Sequence, residues 1–100
     1  MTDLQITGLC AEAMGFKACI KPVLGGVWHA VISDKGVERP YSPLTDDAQC
    51  FALVKRFQLY IGGWTGNGTV TASIEGRMLT SSTDLNRAIC ECVAKMQAAK

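Results

Sequence analysis

Residues 41 to 48, Tyr41-Ser42-Pro43-Leu44-Thr45-Asp46-Asp47-Ala48, put a proline turn directly ahead of the acidic first turn of a helix, and strand-like segments lie on either side. Pro43 keeps Ser42 extended, so no helix can run through this point. Thr45 or Asp46 then supplies the oxygen that caps free helix N–H groups, and Asp46 and Asp47 sit where the helix dipole favours negative charge. A chain punctuated in this way must alternate helices with strands. The two aspartates are accounted for by the dipole, and adjacent helix positions diverge, so they are not read as a metal or acid–base pair.

The flanking patterns build outward from that turn. Thr2 with Gln5 forms a capping box, and Ile6, Leu9, Cys10, Ala13 and Met14 repeat at helical spacing up to Gly15. Phe16, Ala18 and Ile20 alternate as a half-buried strand that Pro22 ends or places on an edge. Trp28, Ala30 and Ile32 form a second strand closed by Asp34-Lys35-Gly36, with Val37 to Arg39 continuing the meander or covering an edge. After the turn, Cys50, Phe51, Val54 and Phe57 form one helical face. Leu59 to Ile61 make a short strand, residues 62 to 68 a glycine-rich hairpin loop, and Val70, Ala72 and Ile74 one side of a further strand. The last helix starts at Ser81-Ser82-Thr83-Asp84, with Leu85, Ala88, Ile89, Cys92, Val93 and Met96 as its apolar stripe and Glu91 and Lys95 paired on the exposed side. The expectation is a single α+β domain over residues 1–100 in the order αββαββα, with a mostly antiparallel four-stranded sheet packed by helices.

Composition limits the chemistry. Ten basic and nine acidic residues are scattered along the chain, leaving a net charge of +1 and no field to draw in a phosphate backbone. The apolar runs are far shorter than the ~20 residues needed to cross a bilayer, so no membrane partner is expected. The five cysteines, with no secretory segment ahead of them, point to a reducing cytoplasm. Cys90 and Cys92 lie two positions apart in a helical pattern and diverge, so no metal site and no cofactor are expected. Cys10, Cys50 and Cys92 fall on apolar stripes, whereas Cys90 falls on the polar side of its helix and is the thiol expected to react with labelling reagents.

Two places remain as candidates. Trp64, with Thr65 and Asn67 in the glycine loop, offers a large aromatic that is hard to bury and is enriched in binding hot spots. The loop lacks the Gly-Lys-Ser/Thr ending of a phosphate cradle. His29 is the single histidine, and any nucleophile–histidine catalysis would have to use it, with Ser33, Ser42 or a cysteine as partner. A strand histidine beside Trp28 is better read as a surface or packing residue, so no catalytic residue is assigned.

The segments Ala13-Met14-Gly15-Phe16, Tyr41 to Ala48 and Ala88-Ile89-Cys90, together with the tryptophan-bearing strand, resemble the small bacteriophage and prophage proteins of the phage ABA-sandwich type. That resemblance implies a compact α/β sandwich from a phage or prophage genome, acting in the host bacterial cytoplasm, and carries over no catalytic residues. The expected function is a non-enzymatic accessory protein that binds a host protein and blocks it, most naturally an anti-CRISPR type inhibitor of a defence complex. Trp64, Thr65, Asn67, Trp28 and His29 are its candidate contacts, and self-association is left open. The alternatives are a nucleic-acid-associated module using Lys17, Lys21, Trp28 and His29, and a small enzyme centred on His29.

Overall fold

The computed structural model describes residues 1–22, 28–34, 37–62, 69–74 and 77–99. Helix α1 (Asp3–Ala13) is followed by strands β1 (Ala18–Pro22), β2 (Trp28–Asp34) and β3 (Val37–Pro40), then by helix α2 (Asp47–Phe57). Strands β4 (Tyr60–Ile61), β5 (Val70–Ile74) and β6 (Arg77–Ser82) lead into helix α3 (Leu85–Ala98). The α+β class is as expected, but among the described residues the order is αβββαβββα and the strands do not join in a single four-stranded sheet. Those residues form two antiparallel three-stranded sheets, in the orders β1-β2-β3 and β4-β5-β6.

The punctuation works as the residues require. Thr2 accepts from the Gln5 N–H at 3.2 Å while the Gln5 side chain accepts from the Thr2 N–H at 2.8 Å. Gly15 ends α1 with φ at +81°, a conformation open to glycine at no steric cost. Asp46, and not Thr45, caps α2 by accepting from the Gln49 N–H at 3.0 Å. Gln49 also locks the proline turn to the helix: its Oε1 accepts from the Ser42 N–H at 2.7 Å and its Nε2 donates to the Pro40 carbonyl at 3.0 Å. The end of β3 and the start of α2 are thereby held in one orientation.

The third strand of each sheet came from segments with weak signals. β3 continues the first meander, with Val31 opposite Pro40 and Asp34 opposite Val37. β6 pairs Val70 with Ser82 and Ala72 with Thr80, although Arg77 to Ser82 shows no period-two alternation. The Thr80 hydroxyl is buried and donates to the Ala88 carbonyl at 2.6 Å, which ties β6 to α3.

α3 contacts α1, α2, β5 and β6, whereas β1 and β2 lie against α1. α1 and α3 run parallel, since Arg87 meets Asp3 at 2.7 Å near their starts and Gln97 donates to Glu12 at 3.1 Å near their ends. Buried residues of α3 include Ala88, Ile89, Cys90, Cys92, Val93 and Ala94, and at ~100° per residue they cover about 240° of the helix. Arg87, Glu91 and Lys95 occupy the remaining sector. Cys90 is therefore fully buried and not on a polar face, because α3 is covered from several sides. Glu91 pairs with Arg87 at 2.9 Å and not with Lys95 as expected.

On α2 the buried residues are Cys50 and Leu53, and Phe51 is 56% exposed, which corrects its placement on the inner face. It stands ~100° round the helix from Cys50, at the margin of the stripe. Leu85 belongs to the α3 stripe by angle but sits at the first helical position, beyond the elements that cover the later turns, and is 37% exposed.

Ile89 is 4% exposed within this core. An unpaired carboxylate there costs several kcal/mol against the ~5–15 kcal/mol that typically holds a domain folded. Ile89→Asp is expected to abolish cooperative thermal unfolding by circular dichroism, and a wild-type melting temperature would contradict the packing of α3.

Candidate functional site

The starts of α2 and α3 lie side by side. Asp46 caps one and Asp84 the other, accepting from the Asn86 N–H at 3.0 Å. The two starts are clasped together by Asn86, whose Nδ2 donates to Asp47 Oδ1 at 2.9 Å. Between them lies a groove of about 380 Å³ lined by Asp47, Cys50, Phe51, Leu85, Asn86 and Ile89. Cys50 and Ile89 are buried and form its floor, while Phe51 and Leu85 stand exposed at its sides. Lys55, one turn beyond Phe51, holds its ammonium 5.2 Å from the centre of that ring, a cation–π contact.

Behind the floor is a set of thiols. The Cys50 thiol donates toward the Asn86 carbonyl at 3.8 Å, and Cys10 donates toward the Cys90 carbonyl at 3.4 Å. Hydrogen bonding to the Cys90 thiol, with burial and the charges of Asp47 and Asp84, pushes Cys50 far above its ordinary value of 9.0. Hydrogen bonding to Cys10 raises Cys90 likewise. Burial, and then these same cysteines, push Tyr41 upward. The Tyr41 hydroxyl is buried with no hydrogen-bond partner among the described residues, and its ring meets Phe16 edge-on at 5.8 Å. At neutral pH the Cys50 and Cys90 thiols stay protonated, so the groove floor behaves as apolar surface and not as a nucleophile.

The sequence-derived contact residues fall elsewhere. Trp64, Thr65 and Asn67 lie outside the described residues. Trp28 and His29 open β2, where their backbones pair with Pro22 and Lys21 of β1. The adjoining Gly62 is held to β5 by its N–H donating to the Thr71 carbonyl at 2.8 Å, and a Cβ there would run into the Thr71 hydroxyl. The groove residues Asp47, Phe51, Leu85 and Asn86 were not assigned a contact role from sequence, because the groove exists only once two distant helix starts are brought together. The available signal was an apolar residue near the start of each helix, Leu85 at the first position of α3 and Phe51 at the fifth of α2.

Among the described residues no group of three or more His, Cys, Asp or Glu side chains gathers to hold a metal ion, and no helix is long and apolar enough to cross a membrane. Comparison with protein-family models, with curated proteins and with solved structures finds no match to this chain.

Two predictions follow from the thiols. Cys19 is exposed and Cys10, Cys50, Cys90 and Cys92 are buried, so a maleimide should label Cys19 alone in the native protein. Rapid labelling of Cys90, read by peptide mass spectrometry, would contradict the packing of α3. The second concerns pH: the folded thiols of Cys50 and Cys90 keep protons that the unfolded chain loses above its ordinary value of 9.0. Their contribution to stability is complete below that pH and falls above it, by at most about 1.4 kcal/mol per pH unit for each thiol. The melting temperature should hold steady between about pH 7 and 8 and fall between about pH 9 and 10.5, with a shallower fall in Cys50→Ala, because that variant has lost one of the linked thiols. An identical slope in that variant would show that Cys50 does not carry the effect.

Proposed function

We propose that this chain acts by binding another protein, with the groove between the starts of α2 and α3 as a contact surface. The observation that carries the reading is the pair of exposed apolar side chains, Phe51 and Leu85, held over a buried apolar floor by two capped and clasped helices. Rigid aromatic anchors beside a preformed depression are the usual energetic centre of a protein interface. Tyr60 and Ile61 of β4, 66% and 41% exposed, are further apolar side chains left open to solvent. The resemblance to phage and prophage proteins supports a partner from the host, and a blocking, anti-defence role of the anti-CRISPR type is the form of the proposal that fits a small non-enzymatic binder. Trp64 with Thr65 and Asn67, and Trp28 with His29, remain in the proposal as a second set of contacts.

Phe51→Ala should reduce the partner recovered from host lysate on immobilised protein by about tenfold or more, the loss expected of a hot-spot aromatic, while the exposed position keeps the melting temperature near wild type. Unchanged recovery with an intact fold would remove the groove from the interface.

A further inference from the structure

We propose that the groove takes a short cationic segment of a partner protein, with an apolar side chain seated between Phe51 and Leu85 and lysine or arginine side chains meeting the carboxylates of Asp46, Asp47 and Asp84. The inference rests on the binding reading above and adds the chemistry of the occupant.

The charges around the groove are placed unevenly. Asp47 lines it, Asp46 precedes it as the α2 cap, and Asp84 caps α3. The fields of both Asp47 and Asp84 reach the Cys50 thiol on the floor. Each helix start contributes roughly half a positive charge from its dipole, so two starts do not cancel three carboxylates. Arg87 does not neutralise them, because it is held by Asp3 at 2.7 Å and Glu91 at 2.9 Å. Lys55 does not line the groove, and its ammonium is taken up by the Phe51 ring at 5.2 Å. The groove is thus anionic at the helix starts and apolar beyond them. An incoming segment that carries positive charge at one end and an apolar anchor next to it satisfies that pattern, whereas an anionic segment would meet the aspartates unpaired.

The test uses the intact chain and three fluorescent nine-residue peptides that share a Leu and Phe anchor pair, flanked on one side by arginine, serine or glutamate. Anisotropy titrations should rank arginine at least about tenfold tighter than serine, with glutamate weakest, and the preference should shrink as added salt shortens the ~10 Å screening length. Asp46→Asn, Asp47→Asn and Asp84→Asn together should erase the preference while keeping the fold, because asparagine caps helices as well as aspartate. Phe51→Ala should weaken all three peptides alike. Equal binding of the arginine and serine peptides would overturn the cationic occupant and leave apolar docking in place. An arginine preference that survives the triple Asn variant would also overturn it. If sedimentation shows a dimer that Phe51→Ala dissociates, the occupant is a second copy of this chain and the proposal fails. The broader reading fails separately, if Phe51→Ala leaves lysate capture unchanged.

Discussion

Ala88, Cys90 and Ala94 are small, and this lets α1, α2 and the paired strands β5 and β6 close in around α3. A helix buried over most of its circumference cannot move without uncovering apolar surface on several elements at once, at roughly 25 cal/mol for each Å². The first sheet leans on α1 and through it on α3, and the second leans on α3 directly. The polar ties follow the same axis: Thr80 to the Ala88 carbonyl, Asp3 to Arg87, Glu12 to Gln97. The exposed ion pair among them orients side chains and contributes little to stability.

Helix burial and helix capping together produce the groove. Cover is dense at the middle of α3 and thinner at its first residue, so Leu85 emerges just where the Asp84 carboxylate caps the start of the helix. On α2, Asp46 and Asp47 begin the helix and Phe51, its fifth residue, emerges at the margin of the buried stripe. Asn86 joins the two starts through Asp47, and Gln49 fixes α2 to the strand before it. Apolar walls, a protonated thiol floor and an anionic mouth are therefore by-products of how two helices begin, held in place by the same contacts that stabilise the fold. A surface preorganised in this way loses little entropy on binding.

Features set by neighbours in the chain were legible in the sequence. The Thr2 and Gln5 capping box, the stop at Gly15, the Pro43 turn and the Val70, Ala72 and Ile74 alternation all depend on residues a few positions apart. Features set by distant partners were not. β6 carries no alternation and is defined by pairing with β5, and the strands divide into one sheet against α1 and another against α3. Cys90 sits next to Glu91, and local pattern places it on a polar face; only cover from several sides buries it. Phe51 and Leu85 looked like core residues because an apolar stripe shows roughly which face is inward, but neither how wide the cover is, which leaves Phe51 at its margin, nor how far along the helix it extends, which leaves Leu85 beyond it.

Native-state amide hydrogen exchange, resolved residue by residue, tests most directly whether α3 is the element on which the rest depends. The account predicts that the amides of Ala88 to Ala94 exchange slowest in the molecule and only through global unfolding, with the same denaturant dependence as the whole protein. Exchange of that segment through a local opening cheaper than those of α1 or the β5 and β6 pair would contradict it.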